Sequence, residues 1–222
     1  MGGNEFRPSC EPMDRAILAG VASRHKEVKV VIVPTAAAHE NPEIAAGNGV
    51  QYFQDLGARS EAAMIIDRQT ARDPAFAAQV GAADLVYFTG GDPSYLLETM
   101  RNSCAWKAAL EVLEAGGILA GSSAGAMICG GQVWASGHGW REGLGLVPQI
   151  AVIPHHASLR SRWGTDRMQR SLPAGVTLVG IDEATSLVGP PWQVVGSGKV
   201  VVYARDGNRA YAHGQPVLLE GP

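Results

Sequence analysis

The sequence has few cysteines, no long apolar run and no strong excess of either charge. Cys10, Cys104 and Cys129 are the 3 cysteines of 222 residues. An odd number cannot pair completely, and none lies at CxxC spacing, so free thiols in a reducing compartment are expected. No run of about 18 apolar residues occurs, so no membrane span or membrane partner is expected. The opening residues, Met1-Gly2-Gly3-Asn4-Glu5, carry no basic-then-apolar signal segment. Together these features predict a cytoplasmic protein. Lys+Arg number 18 against 21 Asp+Glu, a net charge of −3, which speaks against a nucleic-acid partner.

What is present reads as one folded domain over residues 1–222. Hydrophobic residues make up 46% and charged residues 18%, a balance that excludes whole-chain disorder. Gly (28) and Pro (13) are abundant without a Gly-X-Y period, which means many tight turns. Short apolar runs alternate with helical stretches. Strands are predicted at Glu27–Val33, Ala62–Ile66, Asp84–Phe88, Ile118–Ala120, Ile150–Ile153, Thr177–Ile181 and Ser186–Val188. Helices are predicted near Met13–Ala22, at Pro42–Leu56, Pro74–Val80 and Ser94–Arg101, after an Asn102 or Ser103 cap, and at Ala124–Cys129. Such alternation implies βαβ units and an α/β fold, a mostly parallel sheet with helices on both faces. Ser136–Pro148, Gly-rich and aperiodic, is expected as a surface loop. Trp192–Ala204 is expected as a C-terminal hairpin turned at Gly196-Ser197-Gly198. No clear strand precedes the first helix.

The sharpest chemical signal is Gly121-Ser122-Ser123-Ala124-Gly125-Ala126. An apolar strand precedes it and a small-residue helix follows, the context a G-x-S-x-G nucleophile elbow requires. So tight a turn needs small neighbours and leaves Ser123 Oγ exposed at the carboxyl end of the sheet. The Ala124 N–H then lies at a helix start, where it can face a developing oxyanion. A phosphate loop fits worse, because no Lys follows the glycines. Cys129 reads as a small hydrophobe on the following helix.

A serine hydroxyl needs a base to take its proton. His155 and His156 directly follow the strand Ile150–Ile153, so both emerge where open α/β sheets place their sites. His25 and His213 lie in polar contexts, and His39 and His138 in loops. No carboxylate or Cys stands at ligand spacing beside the His pair, so no metal is expected, and no cofactor either. The base needs an orienting carboxylate, and the strand Thr177–Ile181 delivers Asp182 and Glu183. Nucleophile, base and acid thus occur at the ends of three separate strands.

Four segments together carry a resemblance that no one of them would: Phe88–Leu97 (FTGGDPSYLL), Gly121–Ala126 (GSSAGA), Ile153–His156 (IPHH) and Gly180–Val188 (GIDEATSLV). Over roughly Arg15 to Gly189 the chain resembles the aspartyl dipeptidase (peptidase E) and cyanophycinase family of serine peptidases. The resemblance implies a fold like the class I glutamine amidotransferase domain, with Ser in place of that group's Cys nucleophile. It implies Ser123 as nucleophile, Glu183 in a Gly-x-x-Glu motif as the acid, and an oxyanion hole made by the N–H groups of Gly91 and Ala124. For the base it leaves two patterns. An aromatic after the His favours His155, whereas His-x-x-x-Arg-x-Arg favours His156 with Arg160 and Arg162; the choice falls on His155. One departure is the N-terminus, where relatives carry a strand before their Gly-Gly.

Residues 141–172 hold five Arg against two acids in a chain of net charge −3. Arg160, Arg162, Arg167 and Arg170 follow the His pair closely. Arg pairs carboxylates bidentately, so the cluster suggests an anionic group on the substrate. With the resemblance, this predicts a small peptide carrying Asp on the acyl side of the cut bond, with Arg160 and Arg162 as binding residues. A polymer of Asp with Arg side chains is the rival substrate. A catalytically silent binding module and a small-ester esterase are the alternatives of other classes. A second copy of the chain, forming a homodimer, is a further expected partner.

Overall fold

In the computed structural model, residues 1–22, 27–204 and 207–219 are described, apart from the side chains of residues 22 and 160–163. Contacts group the chain into two compact units, Glu5–Gly125 and Met1–Asn4 with Ala126–Pro222.

The first unit contains α1 (Glu11–Ala22), β1 (Lys29–Val33), α2 (Pro42–Asp55), β2 (Arg59–Ala62), α3 (Arg68–Ala71), α4 (Pro74–Gly81), β3 (Leu85–Phe88), α5 (Pro93–Met100), α6 (Cys104–Glu114) and β4 (Ile118–Gly121). The strands form a parallel sheet in the order β2-β1-β3-β4. Every residue of β3 is buried, as a central parallel strand covered on both faces must be. Tyr87, Phe88, Phe53, Ile32, Leu85, Leu96, Leu97 and Met100 fill its core. Helix starts follow the local chemistry. Asp73, Asp92 and Ser103 each accept from backbone N–H groups of the turn they cap, and Pro74 and Pro93 stand where a missing N–H costs nothing.

The second unit contains β5 (Gly130–Ala135), β6 (Gly139–Glu142), β7 (Val147–Ile153), α8 (His156–Trp163), α9 (Thr165–Ser171), β8 (Thr177–Ile181), β9 (Thr185–Val188), β10 (Gln193–Gly196), β11 (Val200–Ala204) and β12 (Gly207–Tyr211). The helix α7 (Ala124–Cys129) enters it from the elbow. Its sheet runs β12-β11-β8-β7-β5-β6, parallel at β5-β7-β8 and antiparallel elsewhere, with β9 and β10 as a separate ribbon. Val152, Val179, Ile181, Val194, Val200 and Val202 share one apolar cluster. Ile153, Leu178, Met168 and Tyr203 share another.

Three local expectations change. Ser136–Pro148 is not a loop: β5 turns back as β6, with Ala135 opposite Gly139 and the Trp134 and Trp140 rings 5.1 Å apart. Glycines at positive φ make the turn (Gly137 +81°, Gly139 +79°), and a strand this short and polar shows no periodicity. The second strand is Arg59–Ala62, before the apolar Ala62–Ile66, whose Ala63 and Ile65 are buried beyond its end. Trp192–Ala204 supplies two strands that do not pair with each other: β10 pairs with β9, and the C-terminal hairpin is β11–β12.

Candidate active site

In the first unit, β3 and β4 are parallel neighbours with Phe88 opposite Gly121. The chain therefore leaves both strands at the same edge, placing the Gly90-Gly91 turn beside the Ser122-Ser123 turn. Ser123 has φ of +50°, a left-handed conformation that a non-glycine residue adopts only where its surroundings hold it. Small neighbours are required: a Cβ on Gly125 would lie 2.4 Å from the carbonyl oxygen of Phe88, and one on Gly91 would lie 2.2 Å from that of Ala36. A Cβ on Gly90 would lie 3.2 Å from Ser123 Cβ, so the two turns are in direct apposition. As the first residue of α7, Ala124 has no acceptor for its N–H within the helix.

The buried Ser122 hydroxyl donates to Glu5 Oε2 at 2.8 Å, and the Gly90 N–H donates to Glu5 Oε1 at 2.8 Å. Burial raises the Tyr87 phenol well above its ordinary range; nearby Asp14, Glu5 and Cys10 raise it further, while a hydrogen bond with Ser122 opposes.

In the second unit, β7 and β8 are parallel neighbours with Ile153 opposite Gly180. The residues just beyond them meet. His155 Nδ1 lies 3.1 Å from Glu183 Oε1. Ser158 Oγ lies 3.1 Å from the same oxygen and also donates to the His155 carbonyl at 3.0 Å. His155 is part-exposed and has φ of +123°. Ala184, directly after Glu183, also has positive φ (+49°). The N-terminus frames this pair: Gly2 donates to the Thr185 carbonyl, Gly3 accepts from the Ala184 N–H, and a Cβ on Gly3 would lie 2.2 Å from His155 Cε1.

His156 is placed differently. It is 5% exposed, with Nε2 2.6 Å from the Tyr203 hydroxyl and Nδ1 3.4 Å from Asp182 Oδ1. Asp182 in turn accepts from the Lys199 N–H at 2.8 Å. The first carboxylate of the Asp182-Glu183 pair is thus committed to a neighbouring strand connection.

A family model, Peptidase family S51, matches residues 1–189. The chain belongs to peptidase family S51. The crystal structure of a peptidase from an acI-B1 Actinobacterium is 31% identical, with a TM-score of 0.89 over 98% of this chain and 94% of that one. A peptidase E protein from Listeria monocytogenes EGD-e shares the fold, at 17% identity and a TM-score of 0.57 over 92% of this chain and 95% of that one. No curated protein gave a significant match. This S51 member is accordingly a serine-type peptidase, a hydrolase with the α/β fold of the peptidase E structures.

The side chains of Arg160 and Arg162 lie outside the described residues; Arg167 and Arg170 are exposed on α9. Among the described residues no group of three His, Cys, Asp or Glu side chains is arranged to hold a metal ion, and no helix is long and apolar enough to cross a membrane. Desolvation pushes the Cys129 thiol up to about 12, which leaves it protonated and unreactive at neutral pH. Sequence reading missed Glu5, Gly3, Ser158 and Tyr203. Glu5, Gly3 and Tyr203 reach their partners from distant parts of the chain, and Ser158 has as one partner Glu183, 25 residues on, which residue patterns do not encode.

Proposed function

We propose that Ser123, His155 and Glu183 form the catalytic triad and that this peptidase cleaves small peptides with Asp on the acyl side of the cut bond. The observation that carries the reading is the His155–Glu183 pair at 3.1 Å, on residues that follow neighbouring strand ends. A carboxylate on Nδ1 holds the proton there and leaves Nε2 as the basic nitrogen. In the proposed reaction Nε2 takes the Ser123 hydroxyl proton as Oγ attacks the scissile carbonyl. The Gly91 and Ala124 N–H groups donate to the oxyanion that forms. The imidazolium then gives its proton to the leaving amine, the C–N bond breaks and an acyl-enzyme remains. A water, deprotonated by the same nitrogen, hydrolyses the ester and returns Ser123 to its resting form.

His156 supports the assignment of the base to its neighbour, because both its ring nitrogens face groups of the fold. The acidic preference rests on the sequence cluster Arg160, Arg162, Arg167 and Arg170. A site built around a carboxylate discriminates against the neutral amide, since the guanidinium is then desolvated and unpaired. The test compares Asp-Leu with Asn-Leu for wild type and Ser123→Ala. A charged hydrogen bond of about 1.5–3 kcal/mol predicts roughly 10- to 150-fold higher kcat/KM for Asp-Leu, and no turnover by the variant. Equal rates on the two dipeptides would overturn the substrate reading. Turnover by Ser123→Ala would overturn the nucleophile.

A further inference from the structure

Glu5 is far in sequence from the two turns it joins, 85 residues from Gly90 and 117 from Ser122. Each of its carboxylate oxygens takes one turn, at 2.8 Å in both cases. Gly90 precedes Gly91 and Ser122 precedes Ser123, so the carboxylate grips the residue just ahead of an oxyanion donor on one side and just ahead of the nucleophile on the other. Its backbone is fixed as well. Phe6, the next residue, has φ of +61° and packs its ring on Tyr87 (5.0 Å), Tyr52 (5.8 Å) and Phe53 (6.1 Å).

We propose that Glu5 is a positioning residue of the active site, whose carboxylate holds the Gly90-Gly91 turn and the Ser122-Ser123 elbow at the separation that lets the Gly91 and Ala124 N–H groups converge on one oxyanion. The proposal rests on the reading of Ser123 as nucleophile. Donors preorganised on developing charge lose their effect steeply with displacement, because they are useful only at the oxyanion's own position. The β-sheet fixes where each turn begins; beyond Phe88 and Gly121 the ladder ends, and Glu5 replaces it.

The chemistry predicts a graded series. Glu5→Ala removes both arms and lowers kcat by about 10- to 100-fold, with KM changed by less than about threefold. Glu5→Gln preserves a bridge, since its amide oxygen accepts from the Gly90 N–H and its NH2 donates to Ser122 Oγ, and it stays within about fivefold of wild type. Ser122→Ala cuts one arm and falls between them, and Glu5→Ala/Ser122→Ala is no worse than Glu5→Ala alone. The labelling rate of Ser123 by a fluorophosphonate follows the same order, because that adduct also places an anionic oxygen in the hole. Thermal unfolding is recorded for each variant. If Glu5→Ala folds and keeps kcat and labelling within about threefold of wild type, Glu5 only stabilises the fold and the proposal fails. Should Glu5→Ala not fold, Ser122→Ala and Glu5→Gln decide: a wild-type labelling rate in Ser122→Ala overturns the proposal, and a rate between those of Glu5→Gln and an unlabelled Ser123→Ala supports it. A Ser123→Ala enzyme that still turns over would instead remove the nucleophile on which the proposal stands.

Discussion

Glu183 holds the ring of His155 and not that of His156, although the two histidines are adjacent in the chain. Nδ1 of His155 stands 3.1 Å from the Glu183 carboxylate, whereas the next ring turns inward to Tyr203. One strand end therefore delivers a part-exposed imidazole and a buried one from consecutive residues.

His155→Ala is expected to lower kcat as far as Ser123→Ala, by about 10⁴–10⁶, and the double variant should be little worse than either. His156→Ala should instead lose stability. It removes a buried ring and its contact with the Tyr203 hydroxyl, worth about 1–3 kcal/mol, and should keep kcat within about tenfold. Steady-state kinetics and thermal unfolding on the same preparations check both. A dead, stable His156→Ala would reverse the roles.

Glu183→Gln is expected to reduce kcat far more than Asp182→Asn. The amide neither fixes the Nδ1–H tautomer nor stabilises the imidazolium. Asp182 faces the Lys199 N–H, so its amide variant should show its effect in unfolding temperature. Equal kinetic losses would leave the third member of the triad unassigned.

Gly3→Ala is expected to lower kcat by about 10- to 100-fold. Its φ is +120°, and the added methyl would sit 2.2 Å from His155 Cε1, so the ring must leave its place beside Glu183 or Gly3 must detach. Gly47→Ala is the control. Gly47 lies within α2 with nothing inside 4 Å of a new Cβ, and the change should stabilise by about 0.5–1 kcal/mol without altering kcat.

The buried Asp14 carboxyl, raised from 3.8 to about 7 mainly by desolvation and held partly in check by the Tyr52 hydroxyl, predicts a pH-dependent stability. Between those values the folded chain keeps a proton that the unfolded chain has released. Stability from this group is therefore highest near pH 4, falls as pH rises towards 7, and levels off above. Asp14→Asn should flatten that slope and be more stable than wild type at pH 8. Chemical denaturation at pH 5 and pH 8 measures it, and parallel slopes for the two proteins would refute the assignment.

Much of this was legible in the residues. Asp92-Pro93, Ser103 and the Gly116-Gly117 pair mark helix ends by chemistry that depends on one or two neighbours. The elbow was legible because its strand, small residues and helix are contiguous. The choice between His155 and His156 was not fixed by local pattern, since it depends on Tyr203, which reaches His156 from β11. Glu5 was invisible for the same reason: nothing in Asn4-Glu5-Phe6 announces partners so far along the chain. The β5–β6 hairpin was hidden because its turn glycines resemble those of a loop until pairing is known.

The left-handed backbone of Ser123 sets folding against the proposed reaction at a single position. Holding a side chain at φ of +50° costs about 1–3 kcal/mol, and glycine would release that strain while giving back about 0.5–1 kcal/mol to the flexibility of the unfolded chain. Ser123→Gly should thus melt a few degrees above Ser123→Ala, at about 2–4 °C per kcal/mol for a chain of this size, with neither variant turning over. A copy of the protein relieved of its reaction would become sturdier by discarding the serine. Any side chain at this position, hydroxyl-bearing or not, stands against the preference of its own backbone.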